Sequence, residues 1–207
     1  MRQESGNVDH LTNYLEDLKE TLANLDLEAV QRSRDLLASA RESGQQVFVC
    51  GNGGSAATAS HLANDLGKGA SYGRDSRRFR VIALTDNIPW ITALANDVSY
   101  DSVFSEQLQN LGQPGDLLIA ISGSGNSRNV LNAVEVARQK RMTTIGWTGF
   151  GGGELAGAVD LPVVVDSHHM GRVEDAHMIM THLVCYFFME EVVKKGRSEW
   201  LSEWLSE

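Results

Sequence analysis

VFVCGNGGS, at residues 47–55, passes from a short apolar run into three glycines within four residues. An apolar run rich in β-branched and aromatic residues is typical of a buried strand. The alanine-rich segment that follows, as far as Gly69, has helical character. A strand, a glycine-rich turn and a helix start together present backbone N–H groups and the positive end of a helix to an anion. The stretch therefore predicts a site for a small phosphorylated molecule.

The rest of the chain repeats this alternation of apolar runs and helical segments. We predict strands at Val47–Cys50, Arg80–Leu84, Asp116–Ile121, Met142–Trp147 and Leu161–Val165. We predict helices between them, near Ala56–Leu66, Ile88–Ala95, Ser102–Leu111 and Asn126–Arg141. Near-continuous apolar strands indicate a parallel sheet that is covered on both faces. The sequence therefore predicts an α/β fold, a doubly wound five-stranded parallel sheet in a flavodoxin-like sandwich, with ligands bound beyond the carboxyl ends of the strands.

Two amphipathic helices are predicted before the first strand, as an N-terminal helical extension. Leucines recur at helical spacing from Leu11 to Leu22, and Asp26 is suitably placed to cap the second helix. These helices pack either on their own core or on a partner subunit. The predicted division is an extension, a main domain and a C-terminal tail, over residues 1–44, 45–195 and 196–207. In the tail, Trp200 and Trp204 would share one helical face, and we assign this segment no function.

The 207 residues carry a net charge of −9 and two cysteines. This length fits one domain with a sizeable core, and the acidic balance argues against nucleic-acid binding. The one dense basic cluster, between Lys68 and Arg80, is explained by a solvated loop. Cys50 and Cys185 lack the spacing of metal ligands, which predicts buried free thiols in a reducing compartment. Because no apolar stretch approaches a membrane span or a signal peptide, we expect a cytoplasmic protein that binds no membrane.

A second polar loop, ISGSGNS at residues 121–127, follows an apolar strand and precedes a helix. Small hydroxyl residues and glycines let phosphate oxygens approach the backbone, and the helix start adds N–H donors. A serine-rich turn that caps a helix would have the same composition, and no Walker Gly-Lys-Ser/Thr follows. The position of this loop at the same sheet edge as residues 51–55 favours phosphate binding.

These loops belong to a larger set of motifs: Gly51–Ser55, His61–Leu66, Ala95–Asp97, Ile121–Ser127, Thr148-Gly149 with Gly151–Gly153, and Arg172–His182. Together they resemble the sugar isomerase (SIS) domain and, within that fold, the phosphoheptose isomerase family. That family converts sedoheptulose 7-phosphate into D-glycero-D-manno-heptose 7-phosphate, a step in heptose biosynthesis. The resemblance covers nearly the whole chain, from the N-terminal helices to about Val193. The serine-rich loop marks SIS domains in general, whereas the His61/Asp65 pair is particular to the isomerase branch.

The resemblance implies an active site shared between the subunits of a homotetramer. It implies that the phosphate is held by Ser122, Gly123, Ser124 and Ser127. It implies that the sugar is contacted by Asn52, Gly53, Ser55, Asp97 and Glu174. The acid/base positions of the family fall on Asp65 and His182. A metal cluster, occupied by zinc in some members, falls on His61, Asp65, Glu174 and His182.

The implied chemistry suits these residue types. Moving a carbonyl between C2 and C1 needs a base to take a proton from carbon and an acid to return one, and a carboxylate with an imidazole meets that need. Zinc accepts His and carboxylate ligands, and a divalent ion stabilises enediolate oxygens. His61 and Asp65, four residues apart, share one helical face, although His61 alone would be interpreted as an ordinary helix histidine. Whether Asp65 is base or ligand stays open.

Helical spacing gives a different partner for His182. On the helix predicted over Arg172–Lys195, Asp175 is seven residues from His182 and nearly aligned with it, whereas Glu174 lies only loosely on that side. Spacing therefore selects Asp175, the resemblance selects Glu174, and we follow the resemblance. His177 points away from His182, so we interpret it as a structural or intersubunit histidine.

Three positions depart from the family pattern. Asp65 stands where a glutamate is usual, and its side chain is one methylene shorter. Glu174 stands where a glutamine is usual, which adds a negative charge that would favour a cation. Gly171 replaces an acidic side chain that helps to bind substrate hydroxyls in some members. These departures bear on the particular sugar more than on the class of reaction.

An alternative class is a non-catalytic tetrameric SIS protein that binds phosphosugars and acts through a protein partner, such as a replication initiator. Those relatives keep the Gly-Asn-Gly and serine loops but lack the acid/base pair, so the presence of Asp65 and His182 favours an enzyme. A phosphosugar-sensing regulator would usually carry a separate DNA-binding region, for which this chain has no room. We therefore expect an aldose–ketose isomerase.

Overall fold

Five parallel strands form the centre of the structure, a computed structural model that describes residues 5–73 and 76–195. The strands are β1 Gln46–Cys50, β2 Arg80–Ala83, β3 Leu117–Ser122, β4 Thr143–Thr148 and β5 Leu161–Val164. Their order across the sheet is β2-β1-β3-β4-β5, and every neighbouring pair is parallel. This order places β1 and β3 at the switch point of a flavodoxin-like sheet. The predicted α/β fold is confirmed, and each strand boundary lies within one residue of its prediction.

The two faces of the sheet bury two separate apolar cores. Val47 and Val49 of β1 lie in one core, and Phe48 and Cys50 of the same strand lie in the other. Successive side chains of a strand point to opposite faces, so a strand covered on both faces must be apolar throughout. All six residues of β3 are accordingly buried.

Eight α-helices are described. They are α1 Ser5–Ala23, α2 Leu27–Ser43, α3 Gly54–Asn64, α4 Ile88–Asp97, α5 Ser105–Leu111, α6 Arg128–Gln139, α7 Gly153–Ala158 and α8 Met170–Lys195. A π-helical segment over Asp65–Gly69 continues α3, and short 3-10 segments occupy Tyr100–Ser102 and Phe150–Gly152. The sequence did not predict α7, because six residues with two glycines show no helical periodicity. Within the described residues, no helix combines the length and apolarity that crossing a bilayer needs.

The two predicted N-terminal helices are present and adjoin the core differently. Asp26 caps α2 by accepting a hydrogen bond from the Ala29 N–H (2.9 Å), and Gly44 ends that helix at φ 71°. Helix α2 is buried through Leu37, whereas α1 rests on α8 and packs against the core through Leu22 near its end. The division into extension, domain and tail stays a prediction, and the tail with Trp200 and Trp204 lies outside the described residues. Both cysteines are free and buried, as expected.

Candidate active site

The serine loop between β3 and α6 is tightly folded. The Ser122 hydroxyl donates to the Ser127 hydroxyl (3.1 Å), and the Gly125 N–H donates to the Ser122 carbonyl (3.0 Å). Gly125 lies at φ 69°, and a Cβ there would overlap the carbonyl oxygen of Gly152. The loop therefore holds its hydroxyls and backbone N–H groups close together at the start of a helix, which is the arrangement that binds phosphate.

A glycine-rich segment after β4 closes against the serine loop. The Gly149 N–H donates to the Gly123 carbonyl (2.9 Å), and the Leu155 N–H donates to the Gly125 carbonyl (2.9 Å). The Asn126 side chain accepts from the Glu154 N–H (3.0 Å). These bonds link the segment after β4 and the start of α7 to the serine loop. The glycine-rich motif at residues 148–153 therefore supports the motif Ile121–Ser127.

The glycine loop after β1 lies beside the serine loop. Asn52 forms two hydrogen bonds with Asn129 of α6, at 2.8 and 2.9 Å. Gly53 is exposed at φ 54°, and Ser55 is buried in the first turn of α3. The Glu174 carboxylate lies against Gly54, where a Cβ would overlap it. The two loops thus meet at the carboxyl edge of the sheet, as expected, and the start of α8 joins them there.

Asp97 ends α4 on the exposed surface, where it accepts a hydrogen bond from the neighbouring Asn96 amide (2.7 Å). Helix α4 is strongly apolar, yet it has no buried residue among Ile88–Asp97. The position of Asp97 relative to the sugar therefore stays a prediction.

His61, Asp65 and His182 form a compact cluster between α3 and α8. His61 Nε2 lies 3.1 Å from His182 Nε2 and 3.2 Å from Asp65 Oδ2, and one potential ligand atom from each residue lies within 4.8 Å of the others. A tetrahedral zinc ion with bonds of about 2.0–2.1 Å separates its ligands by about 3.3 Å. The donor set and its spacing therefore fit zinc.

Glu174 lies outside this cluster, so the four residues implied as metal ligands do not come together within one chain. It precedes His182 by eight residues on one continuous helix, which is about 12 Å along the axis. The first turns of α8 lie on the loops, because a Cβ on Gly123 or Gly149 would contact Met170 or Val173. Within one chain, Glu174 therefore lies beside the glycine and serine loops, and His182 lies two turns further along α8.

The alternative partner, Asp175, is engaged elsewhere. Its carboxylate accepts a hydrogen bond from the Tyr14 hydroxyl of α1 (2.6 Å), which raises the pKa of Tyr14. Tyr14 also lies 2.9 Å from where a Gly171 Cβ would be, so it occupies the space of the acidic side chain expected there. Asp175 thus anchors α1, which sequence spacing could not reveal.

His177 is buried against Trp147, and neither of its ring nitrogens has a hydrogen-bond partner within the described residues. Burial lowers the pKa of His177 to about 4, so the ring is neutral at pH 7. It lies on the core side of α8, as the interpretation of a structural histidine requires.

The surface beside His182 is exposed and apolar. A shallow cleft of about 520 Å³ is lined by His182, Leu183, Tyr186, Phe187 and Glu190. Leu183 and Tyr186 are each 50% exposed, which is unusual for large apolar side chains on neighbouring turns.

Known proteins share this fold and these motifs. The SIS domain family matches residues 9–149. A phosphoheptose isomerase of Alteromonas mediterranea is 39% identical over 178 residues, which are 84% of this chain and 89% of that relative. A probable phosphoheptose isomerase of Thermoplasma acidophilum is 39% identical over 86% of this chain and 97% of its own length. The structure of a phosphoheptose isomerase from Francisella tularensis has a TM-score of 0.82 at 30% identity, over 89% of this chain and 98% of that one. These matches confirm the resemblance.

Proposed function

We propose that this chain, which belongs to the phosphoheptose isomerase family of SIS-domain proteins, interconverts sedoheptulose 7-phosphate and D-glycero-D-manno-heptose 7-phosphate. The observation that carries the proposal is the His61–Asp65–His182 cluster in a fold that also holds two phosphate-type loops. A phosphosugar-binding protein without catalysis has no need for a carboxylate and two imidazoles within 4.8 Å of one another. The cytoplasmic location expected from the sequence stays a prediction.

The reaction requires two proton transfers at neighbouring carbons. A base removes a proton from C1 of the ketose, the electrons form the C1–C2 double bond of an enediol, and the C2 carbonyl oxygen takes up a proton. Protonation of C2, with loss of the proton of the C1 hydroxyl, then leaves the carbonyl at C1, which gives the aldose. Asp65 and His182 are the acid/base groups in this proposal, because a carboxylate and an imidazole can each exchange a proton near neutral pH when held close to the substrate.

The cluster also suits a divalent metal ion. His61, Asp65 and His182 would hold zinc, and the ion would supply a positive charge that stabilises the enediolate oxygens. In the structure, the His61 imidazole lies within hydrogen-bonding distance of both other groups and orients them. Zinc as the natural occupant is part of the proposal.

We further propose that each complete site is shared between two copies of the chain in a homotetramer. Glu174 and His182 lie about 12 Å apart along one helix, so both can contact one metal ion or one substrate end only if they come from different copies. The exposed Leu183 and Tyr186 beside His182 support a second copy at this surface.

Proton NMR with sedoheptulose 7-phosphate in D₂O tests the function. We expect the C1 proton signal to decrease as deuterium is incorporated, and the aldose signal to appear. Asp65→Asn should slow exchange by about 100-fold or more, as loss of a general acid or base does. The matched control is Asp9→Asn, at an exposed position of α1, which should exchange at the wild-type rate. Asp97→Asn cannot serve as the control, because Asp97 is predicted to contact the sugar.

A chelator arm reports on the metal. If zinc is bound, dialysis of the wild-type protein against a chelator removes it. In His61→Ala, which lacks one ligand, the metal content measured by atomic absorption should be zero even without a chelator. A wild-type protein that binds the ketose phosphate but exchanges no proton would refute the isomerase assignment.

A further inference from the structure

We propose that Asn129 and Tyr100 are positioning residues that fix the amide of Asn52, so that it can offer the substrate only an N–H donor. The inference rests on the proposed function, because it concerns the same phosphosugar site. Neither residue belongs to the motifs that carry the resemblance to the isomerase family. Asn129 is buried in the first turn of α6, and Tyr100 is 53% exposed in the 3-10 segment after α4.

The two asparagine side chains pair face to face. Asn52 Nδ2 donates to Asn129 Oδ1 (2.8 Å), and Asn129 Nδ2 donates to Asn52 Oδ1 (2.9 Å). Asn52 follows β1, and Asn129 follows the serine loop, so the pair ties the glycine loop to the phosphate loop. Asn129 is 2% exposed, so water cannot replace Asn52 as its partner without a local rearrangement.

The backbone of Val130 fixes which way the pair points. An amide pair alone could be turned over at both residues with no loss of hydrogen bonds. The Val130 N–H, however, lies 3.0 Å from Asn129 Oδ1, and it also donates to the Ser127 carbonyl. A turned-over Asn129 amide would place its NH₂ group against the Val130 N–H and the Asn52 NH₂, two contacts between donors, so the atom that faces Val130 and Asn52 Nδ2 is oxygen. Asn129 Nδ2 therefore faces the oxygen of Asn52.

Tyr100 uses the remaining acceptor capacity of Asn52. Its hydroxyl donates to Asn52 Oδ1 (3.0 Å), which already accepts from Asn129. An amide oxygen has two lone pairs and an amide nitrogen has two N–H bonds. Both lone pairs and one N–H of Asn52 are engaged, so one N–H has no partner among the residues that the structure describes. Asn52 can therefore donate a hydrogen bond to a carbonyl, hydroxyl or phosphate oxygen of the substrate, but its oxygen cannot accept a hydrogen bond from a substrate hydroxyl.

A double-mutant cycle tests the positioning role. The variants are Asn52→Ala, Asn129→Ala and the double variant, and the readouts are kcat, KM and the dissociation constant of sedoheptulose 7-phosphate from calorimetry. We expect each single variant to weaken binding by about 10-fold or more, as loss of a hydrogen bond in a desolvated site does. The double variant should match Asn52→Ala within about 2-fold, because Asn129 acts only through Asn52. A merely structural Asn129 would lower kcat, leave KM unchanged and add its cost in the double variant, which would overturn the proposal.

Two milder variants keep the test independent of folding. Tyr100→Phe removes a hydroxyl from an exposed ring and should raise KM by about 3-fold, whereas Tyr72→Phe, 66% exposed outside the site, should leave KM unchanged. Asn52→Asp keeps the shape but replaces the free N–H by an acceptor oxygen, so it should bind at least as weakly as Asn52→Ala. An Asn52→Asp protein with wild-type affinity would overturn the donor assignment.

The outcome separates this proposal from the isomerase assignment. A wild-type protein that binds the ketose phosphate without turnover would refute the isomerase function, and the cycle in dissociation constants would still decide the role of Asn129. A wild-type protein that turns over, with an additive cycle, would overturn the positioning role alone. A protein that neither binds nor turns over the ketose phosphate would overturn both.

Discussion

Gly125 is the residue on which the shape of the serine loop depends most. Its φ of 69° is disfavoured by about 1–2 kcal/mol for other residues, and a Cβ there would overlap the Gly152 carbonyl. We expect Gly125→Ala to lower the free energy of unfolding by about 2 kcal/mol or more and to raise the KM for the phosphosugar, because the backbone must shift. Urea denaturation and steady-state kinetics measure both. The matched control is Gly157→Ala in α7, which has nothing within 4 Å of the added methyl and should be neutral or stabilising.

His177 gives the stability of the protein a dependence on acid. Its pKa of about 4 in the folded chain is below the ordinary value of 6.5, so between these pH values the unfolded chain binds a proton that the folded chain does not. This contribution to stability is present above pH 6.5 and is lost as the pH falls through 4, by up to about 3 kcal/mol.

Replacing His177 should remove that dependence. We expect His177→Leu to show a smaller loss in the free energy of unfolding between pH 7 and pH 4.5 than the wild type, since leucine fills a similar volume and binds no proton. His10→Gln, at an exposed position of α1, is the control and should keep the wild-type difference. Equal differences in wild type and His177→Leu would contradict the buried, neutral state of this ring.

At the residue scale, the sequence predicted the groups that bear chemistry better than those that orient them. The pairing of His61 with Asp65 was predictable because a four-residue spacing on a helix brings two side chains to one face, whereas their chemical roles came from the resemblance to the isomerase family. Asn129 was not found, because an asparagine at a helix start is ordinarily a capping residue and its partner, Asn52, lies 77 positions away. Long-range pairing of two amides leaves no local pattern, so only the folded chain reveals it.

At the scale of elements, the strands were predictable because each is a short, largely apolar run. Strands β1, β3 and β4 are buried almost throughout, whereas the edge strand β2 leaves Arg80 and Ile82 exposed. Helix α8 was predicted as an element, but its partners were not. Asp175 is nearly aligned with His182 along the helix, yet it bonds to Tyr14, since α1 packs against that side of α8. Which neighbour a helix face meets depends on the packing of distant segments, and periodicity does not contain that information.

Among the described residues, two side-chain polar contacts help to attach α1 to α8. The Tyr14 hydroxyl donates to Asp175, and Arg172 pairs with Asp17 at 2.9 Å. We expect Tyr14→Phe to lower the free energy of unfolding by about 1 kcal/mol at most, because solvent reaches the contact and weakens it. Hydrogen exchange of the α1 backbone should increase more clearly, because exchange reports local opening of that helix. If exchange in α1 matches that of Tyr72→Phe, Tyr14 does not hold the helix.

At the scale of the whole molecule, the proposed association of copies accounts both for the apolar surface near His182 and for the separation of Glu174 from His182. Val8, Leu11 and Leu15 of α1 are each more than half exposed, and Leu183 and Tyr186 beside His182 are each 50% exposed. A monomer rarely leaves this much apolar surface in contact with water. Association of copies would cover it and bring the loops of one copy towards the His61–Asp65–His182 cluster of another.

Mixing two inactive variants tests this arrangement directly. Glu174→Ala and His182→Ala should each be inactive alone, since each lacks one half of every site. When the two chains are co-expressed in equal amounts and assemble at random, about a quarter of the shared sites combine an intact Glu174 with an intact cluster, so about a quarter of the wild-type activity should return. Wild type co-expressed with the double variant Glu174→Ala/His182→Ala is the matched control. It should also give about a quarter if sites are shared, but about half if each chain contains its own site. Mixtures of the two single variants that stay inactive, with the control at half, would show that each site lies within one chain, because no combination of damaged chains could then supply both residues.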